Sequence, residues 1–244
     1  MSRTGRTPRA PVLKVCGATT PSDLTTLAAA GADHAGLWHG VPGGPAELTA
    51  DELTALAAAA HATGVLRPVL VTFLGDAAEL AALARGARID HLQLHAYQPP
   101  STVAALRRAL PGAVLIKVLH LRDGRCQERP LIRAYERAGT DLFLLDTATD
   151  DGRIGSTGTP LAAPEALDVV ARTTLPFWLA GGVRAGSRAR LATVAAHPRF
   201  RGIDVDTGAR DPHGRLHAPA VRALARTWGT ARAPGTAPTG RSRG

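Results

Sequence analysis

Two side chains that can exchange protons stand at the ends of short apolar runs of this sequence. Cys16 ends the run 12–16, and Asp146 ends the run 142–146. A thiolate can act as a base and a carboxyl can donate a proton, so the two residues are predicted to form an acid–base pair. Taken alone, a cysteine at a strand end is more often a small buried hydrophobe, and an aspartate there can simply cap a loop. Side chains alternate along a strand, so Lys14 shares a face with Cys16.

Glycine-bearing segments follow three of the later apolar runs, including the run that ends at Asp146. Backbone N–H groups at glycines can approach an anion closely, and the helix start expected after the second segment would add a favourable dipole. The alternative is that these glycines only make tight turns. Three such segments favour a phosphate site, with the predicted binding residues Gly155, Ser156, Thr157, Gly158, Gly181, Gly182, Thr207 and Gly208.

The chain alternates β-rich runs with Ala/Leu-rich helical patterns. These elements determine where the candidate acid, base and phosphate-binding residues lie. The predicted strands are 12–16, 33–38, 67–73, 89–95, 113–119, 141–146, 175–180 and 202–206, and clear helical patterns run over 48–61, 77–85 and 188–196. Thr20 before Pro21, and Thr49 with Glu52, are helix-start signals. Eight βα units favour a single closed (β/α)8 barrel, of the α/β class, with the site at the C-terminal ends of the strands. An open doubly wound sheet is the alternative, although no GxGxxG follows the first strand.

The distribution of charge argues against a nucleic-acid partner. The net charge is +9, but six arginines lie in two tails without acidic residues, which leaves +3 on the body. Residues 1–11 are predicted to be a disordered basic tail, 12–228 the barrel, and 229–244 a disordered Gly/Pro/Ala/Arg tail. A modestly basic body suits an anionic small molecule, and no basic run is interleaved with aromatics.

No apolar run is long enough to span a membrane and no secretory signal is visible, so a cytoplasmic protein without membrane or nucleic-acid partners is predicted. The two cysteines, Cys16 and Cys126, are expected to be reduced. Cys126 is expected in a loop. The sequence leaves the oligomeric state open.

Six segments occur in the order and at about the spacing of the signatures of one enzyme family. They are Lys14-Val15-Cys16-Gly17, Gln93-Leu94-His95, Leu144-Leu145-Asp146, Gly155-Ser156-Thr157-Gly158, Ala180-Gly181-Gly182 and Asp204-Val205-Asp206-Thr207-Gly208. In these segments the chain resembles the phosphoribosylanthranilate isomerases of tryptophan biosynthesis.

The resemblance implies an Amadori rearrangement of a phosphoribosyl aryl amine to a 1-amino-1-deoxyribulose 5-phosphate. Asp146 would be the general acid that opens the furanose ring, and Cys16 the general base that removes the C2′ proton. No metal or organic cofactor is implied. The residues assigned to the substrate pocket are Trp38, His39, Gln93, His95 and Arg210.

The sequence departs from the family at the aryl end of this pocket. Where relatives commonly carry Ser-Pro-Arg, with the arginine meeting the anthranilate carboxylate, this chain has Val41-Pro42-Gly43-Gly44-Pro45, and Arg210 stands where a glutamate is usual. His39 or Arg210 are candidates to replace the missing arginine. Three interpretations stay open: an isomerase of phosphoribosylanthranilate itself, the same reaction on a different phosphoribosyl amine in specialised metabolism, or a barrel that binds a phosphosugar without this catalysis or acts as a lyase.

Lys14 has two possible roles in the sequence. Its charge can lower the pKa of the Cys16 thiol, which would favour the reactive thiolate. It can instead be neutralised by Asp204 on the neighbouring eighth strand, with which it is predicted to form an ion pair inside the barrel.

Overall fold

A computed structural model describes residues 10–148 and 160–230 of the chain. Its eight parallel strands are β1 (Val12–Cys16), β2 (His34–Trp38), β3 (Arg67–Thr72), β4 (His91–Leu94), β5 (Val114–Arg122), β6 (Leu142–Thr147), β7 (Phe177–Leu179) and β8 (Phe200–Val205). Each strand pairs with the next, and β8 pairs with β1, so the sheet is closed. The predicted (β/α)8 barrel is confirmed, and the open-sheet alternative is wrong.

Helices cover the outside of the barrel: α1 (Pro21–Ala30), α2 (Ala50–Ala62), α3 (Ala77–Gly86), α4 (Pro100–Ala109), α5 (Ile132–Ala138), α6 (Ala163–Val170), α7 (Ala192–Ala195) and α8 (Ala218–Trp228). The starts of α1 and α2 follow the sequence signals. The Thr20 side chain accepts the Asp23 amide, and Thr49 and Glu52 form the capping box expected of them. No helix within the described residues is long and apolar enough to cross a membrane.

Side-chain alternation divides the core into two apolar layers. Leu13 and Val15 of β1 belong to the layer between sheet and helices, whereas Cys16 belongs to the cluster inside the barrel. In β6, Leu145 faces the helices and Leu144 faces the interior. The alternation predicted for both strands is thus confirmed, and it directs Cys16 and Asp146 inward.

The helix predicted over 188–196 forms only in part. A four-residue 3-10 helix, Ala185–Arg188, comes first, and within the predicted segment only the single turn of α7 is α-helical. The Ser187 hydroxyl accepts the Arg184 amide and donates to the Gly182 carbonyl. Such local side-chain bonds to the backbone compete with a continuous helix. The dipole expected from a full helix after β7 is correspondingly reduced.

Strand β5 runs three residues beyond its predicted end at 119 and turns back on itself. Arg125–Cys126 forms a two-residue antiparallel return strand that pairs with Leu121 and Arg122. Asp123 and Gly124 connect them with φ of 49° and 74°, the left-handed conformation that an Asp-Gly hairpin turn favours. Cys126 therefore lies in a strand and not, as expected, in a loop, and it is a free thiol.

The predictions for the two tails fall largely outside the described residues. Within the described part, the first strand begins at Val12 and the last helix ends at Trp228.

Candidate active site

The proposed acid and base lie at the C-terminal mouth of the barrel, where the strand order places them three strands apart. Cys16 is the last residue of β1, and Asp146 is the last inward-facing residue of β6. Both side chains are only 6% exposed. Among residues 10–148 and 160–230, no group of three or more His, Cys, Asp or Glu side chains is arranged to hold a metal ion.

Cys16 is part of a buried triad with Lys14 and Asp204. The Lys14 ammonium donates to Asp204 Oδ2 at 2.7 Å and to Cys16 Sγ at 2.6 Å. Lys14 is fully buried and Asp204 is 6% exposed, so the predicted ion pair inside the barrel is confirmed. The register that joins Lys14 to Asp204 between β1 and β8 brings together residues 190 positions apart.

A glycine on β2 makes room for this triad. A Cβ added at Gly36 would lie 2.5 Å from Cys16 Sγ and 3.1 Å from Lys14 Nζ. Any larger residue would displace the thiol, because real Cβ contacts do not come so close. Gly36 therefore fixes where the sulfur lies.

The charge balance of the triad leaves the thiol protonated at neutral pH. Burial and the charge of Asp204 raise the pKa of Cys16 to about 12, and Lys14 opposes them only in part. Burial alone would lower the pKa of Lys14, but Asp204 and Cys16 raise it above its usual value. Lys14 thus does lower the pKa of the thiol, as one of its two predicted roles requires, but burial first and Asp204 next outweigh it.

Asp146 is surrounded by groups that favour its ionised form. Its Oδ1 accepts the amide of Thr147 at 2.8 Å. Its Oδ2 lies 3.3 Å from His95 Nε2, close enough for electrostatic attraction but not aligned as a hydrogen bond. Burial alone would raise the pKa of Asp146, but His95 and the neighbouring His120 hold it below its usual range.

Gln93 sets the protonation of His95. The Gln93 side-chain amide lies 2.9 Å from His95 Nδ1. If the amide nitrogen donates there, the ring proton is on Nε2, which faces Asp146. Burial lowers the pKa of His95 despite the nearby carboxylate, so the ring is neutral at pH 7. The predicted pocket residues Gln93 and His95 therefore lie beside the predicted acid.

The backbone of the β7 and β8 loops has features of an anion site. Gly181 and Gly182 have φ of 75° and 60°, conformations that L side chains rarely adopt. A Cβ on Gly208 would lie 2.2 Å from the Val183 carbonyl. No acceptor among the described residues pairs with the main-chain N–H of Gly182, Thr207 or Gly208. The other predicted phosphate residues, Gly155, Ser156, Thr157 and Gly158, lie outside the described residues.

Arg210 is engaged by the protein itself. Its Nε donates to Asp206 Oδ1 at 2.7 Å, and its Nη atoms donate to the main-chain oxygens of Gly214 and Gly17 at 2.8 and 2.9 Å. These bonds tie the turn after Cys16 to the loop after β8. Arg210 thus stands at the mouth, with most of its donors occupied by neighbours.

His39 and Trp38 lie on the β2 side of the mouth. His39 Nδ1 contacts the Leu48 carbonyl at 2.7 Å, which occupies one ring nitrogen. The Trp38 ring belongs to the interior cluster that includes Cys16, and its indole nitrogen is buried without a hydrogen-bond partner among the described residues. The Gly43–Gly44 turn packs on this indole. A Cβ added at Gly44 would lie only 3.1 Å from Trp38 Cε3.

Unpaired buried polar atoms cluster in this part of the barrel. Within the described residues, inward-facing side chains carry five such atoms. His34 Nδ1 lies at the start of β2, and the other four lie nearer the mouth: Trp38 Nε1, Gln93 Oε1, His95 Nε2 and Asp204 Oδ1. Each unpaired buried group typically costs about 1–3 kcal/mol. Two donors and two acceptors that the protein leaves unpaired mark a place where a polar ligand can bind.

The comparisons with known proteins agree on one family. No protein-family model matches the chain. It is 34% identical over 230 residues to the N-(5′-phosphoribosyl)anthranilate isomerase of Afipia carboxidovorans, covering 93% of this chain and 92% of that protein. It is 32% identical over 200 residues to the protein of the same name from Methanocella arvoryzae, covering 80% and 87%.

Solved structures with similar names share the fold. Phosphoribosyl anthranilate isomerase from Thermus thermophilus superposes with a TM-score of 0.72 at 24% identity, covering 91% of this chain and all of that one. TrpF from Jonesia denitrificans gives 0.67 at 25% identity, covering 90% and 97%.

Proposed function

The chain belongs to the N-(5′-phosphoribosyl)anthranilate isomerase family and is an isomerase of the aldose–ketose kind, and we propose that Asp146 and Cys16 are its catalytic acid and base. The observation that carries the proposal is the placement of both side chains, inward-facing and nearly buried, at the mouth of one barrel. The reaction is the Amadori rearrangement of a phosphoribosyl aryl amine, a step of tryptophan biosynthesis when the amine is anthranilate.

The rearrangement needs one proton delivered and one removed. Asp146 protonates the furanose ring oxygen, the C1′–O bond breaks, and the lone pair of the amine nitrogen forms an iminium ion. The Cys16 thiolate then takes the C2′ proton, and the electron pair of that C–H bond neutralises the iminium to give an enolamine. Tautomerisation of the enolamine yields the 1-arylamino-1-deoxyribulose 5-phosphate.

The resting protonation states are the reverse of those the reaction uses. The pKa of the base is about 12, while that of the acid lies below its ordinary 3.8. At neutral pH the thiol is therefore protonated and the carboxyl is ionised, so the free enzyme holds both groups in the wrong form for the reaction.

Substrate binding therefore has to bring the two pKa values together. A bound substrate replaces the surroundings of Asp146, and it brings a phosphate anion into the mouth. Both changes disfavour the ionised form of Asp146 and so raise its pKa. The iminium formed in the first step is a cation beside Cys16, and a nearby cation lowers a thiol pKa. Because the iminium forms before C2′ is deprotonated, its positive charge is present when Cys16 has to lose its proton.

The phosphate of the substrate is assigned to the loops after β6, β7 and β8. The amides of Gly182, Thr207 and Gly208 supply donors that no described residue uses, and backbone N–H groups are suitable donors for a phosphate. Gly155 to Gly158 complete the proposed site. With the phosphate on the β7–β8 side and the ribose between Cys16 and Asp146, the aryl group lies towards Trp38, His39 and the Gly43–Gly44 turn.

A second candidate is the same reaction on a different phosphoribosyl amine. It is favoured by the β2 loop, where 41–45 carries no cationic side chain, and by the protein contacts that occupy Arg210. A carboxylate on the aryl ring would meet the Trp38 indole or the His39 ring rather than the bidentate guanidinium that suits it best.

Rescue of a tryptophan auxotroph that lacks this isomerase tests the function. The wild-type gene should restore growth, and Cys16→Ala and Asp146→Asn should not. Purified wild-type protein should turn over phosphoribosylanthranilate. Failure to restore growth, together with turnover of an aryl amine that has no carboxylate, would instead establish the second candidate.

A further inference from the structure

A buried ion pair that the acid–base mechanism does not use lies beside Asp146. His120, near the end of β5, is fully buried, and Glu128, past the hairpin, is 3% exposed. His120 Nδ1 and Glu128 Oε1 are 2.6 Å apart, and Glu128 Oε2 accepts the main-chain N–H of His120 at 2.8 Å. One carboxylate therefore fixes both the backbone and the ring of His120.

The other ring nitrogen of His120 holds the end of the neighbouring strand β4. Nε2 lies 3.0 Å from the main-chain oxygen of His95. A carbonyl oxygen only accepts hydrogen bonds, so Nε2 carries a proton. With Glu128 ionised, Nδ1 is protonated as well and the ring is cationic. If the Nδ1 proton moved to Glu128, the bond from Nε2 to His95 would be unchanged.

His95, His120 and Asp146 come from three consecutive strands and meet at one place. His120 is the register partner of Asp146 between β5 and β6. The His95 and His120 rings have centroids 5.7 Å apart, and His95 Nε2 is 3.3 Å from Asp146 Oδ2. The described groups that bear on the Asp146 carboxyl are thus the two rings and the Thr147 amide, while Lys14 and Asp204, on β1 and β8, pair with each other.

The hairpin after β5, which leads to Glu128, has no part in closing the barrel. In the described residues, the return strand Arg125–Cys126 pairs only with the end of β5. After it, the Gln127 amide donates to the His120 carbonyl at 2.9 Å, and the chain reaches Glu128 directly against His120. The structural result of the hairpin is the contact between these two side chains.

We propose that His120 and Glu128 are positioning residues for the acid: they fix the strand end that carries His95 and place a cationic ring beside Asp146. The proposal rests on the assignment of Asp146 as the acid, and it does not depend on which aryl amine is the substrate. A neighbouring cation favours the carboxylate form of Asp146, so the pair sets the pKa from which substrate binding has to raise the acid. The lowered pKa of Asp146, to which His95 and then His120 contribute against burial, agrees with this arrangement.

Glu128→Gln tests the proposal, with Asp141→Asn as a matched control. Asp141 also accepts a β5 main-chain N–H, that of Leu115 at 2.8 Å, and pairs with a cation, Arg107. It does so at the opposite end of β5, away from Asp146. Both variants should lower the melting temperature, so stability alone does not separate them.

Two measurements separate the variants. The first is titration of the Asp146 carboxyl by ¹³C NMR, with the signal assigned by its absence in Asp146→Asn. The second is kcat and KM with phosphoribosylanthranilate. In Glu128→Gln the pKa of Asp146 should rise, and the limb of the pH profile of kcat that reports the acid should move to higher pH with it, with KM nearly unchanged. Asp141→Asn should leave both at their wild-type values.

The double variant His120→Gln with Glu128→Gln removes both charges and keeps two side chains able to hydrogen-bond, so it serves where Glu128→Gln alone does not fold. It should show the same rise in the Asp146 pKa. An unmoved Asp146 titration in a folded variant, or an unmoved pH profile of kcat in Glu128→Gln, would overturn the positioning role. Because the titration needs no turnover, its failure is distinct from failure of the isomerase function, which would appear as an inactive wild-type protein.

Discussion

Replacing Lys14 by methionine should destabilise the protein strongly. The ammonium is fully buried and 2.7 Å from Asp204 Oδ2, so Lys14→Met leaves a carboxylate buried without its counter-charge. Breaking one side of a buried pair typically costs about 3–5 kcal/mol. For a domain of this size, about 2–4 °C of melting temperature is lost per kcal/mol, so a decrease of roughly 6–20 °C is expected. Thermal unfolding followed by circular dichroism measures it.

A paired variant separates loss of charge balance from loss of packing. Lys14→Met with Asp204→Leu removes both charges, and it should recover most of the stability, because replacing a buried pair by apolar residues is often neutral. A melting temperature for Lys14→Met within about 2 °C of wild type would refute the reasoning, since the Asp204 charge would then be satisfied in some other way.

The same pair predicts a pH dependence with a definite sign. The folded-state pKa of Lys14 is raised above its ordinary value of 10.5. Its contribution to stability is therefore complete below pH 10.5 and is lost as the pH rises through the folded pKa. The difference in unfolding free energy between wild type and Lys14→Met should be constant from pH 7 to 10 and shrink above that. A difference that is already shrinking at pH 8 would contradict the raised pKa.

Three further predictions, with four variants, test other parts of the site and core. Cys16→Ala and Asp146→Asn should each lower kcat by about 10²–10⁴-fold with little change in substrate binding, and steady-state kinetics that show near-normal turnover in either would remove it from the mechanism. Gly208→Ala forces a methyl into the Val183 carbonyl, 2.2 Å away, and should raise KM for the phosphorylated substrate; an unchanged KM would place the phosphate elsewhere. Burial holds the pKa of His34 well below 6.5, so wild-type stability should fall as the pH drops below 6.5, and urea unfolding of His34→Phe should show a weaker fall than wild type does.

The positions of the proposed acid and base could be predicted from the sequence because they depend on local periodicity. A strand shows its side chains alternately, so an apolar run that ends in a polar residue indicates both the strand and the direction of that residue. This argument placed Cys16 and Asp146 inside the barrel, and the two core layers confirm it. It applies equally to His120, which follows Ile116 and Val118 on the inward face of β5. The sequence interpretation missed His120 because it ended the strand at 119.

The protonation states could not be predicted in the same way, since they depend on contacts between distant parts of the chain. Lys14 is two residues from Cys16, and that spacing alone suggests a cation that activates the thiol. The pKa of the thiol is instead raised to about 12, with burial as the largest cause and Asp204 as the next. Burial of the sulfur inside the closed barrel decides this, and the spacing between Lys14 and Cys16 does not show how deep that burial is. Glu128 is a similar case, because its role arises only after the hairpin returns the chain to His120.

The distribution of unpaired polar atoms gives an independent reason to place the site at this mouth. A sequence selected for stability alone would pair the buried atoms Trp38 Nε1, Gln93 Oε1 and Asp204 Oδ1, or replace them by apolar groups, because each costs about 1–3 kcal/mol when left alone. The outer layer between sheet and helices is built mostly from leucine, valine and alanine, and burying a leucine side chain contributes about 1.5–3 kcal/mol. That layer offsets the cost. Natural proteins break local rules of this kind mainly at functional sites, so the interior of the barrel is where a polar substrate returns the missing hydrogen bonds.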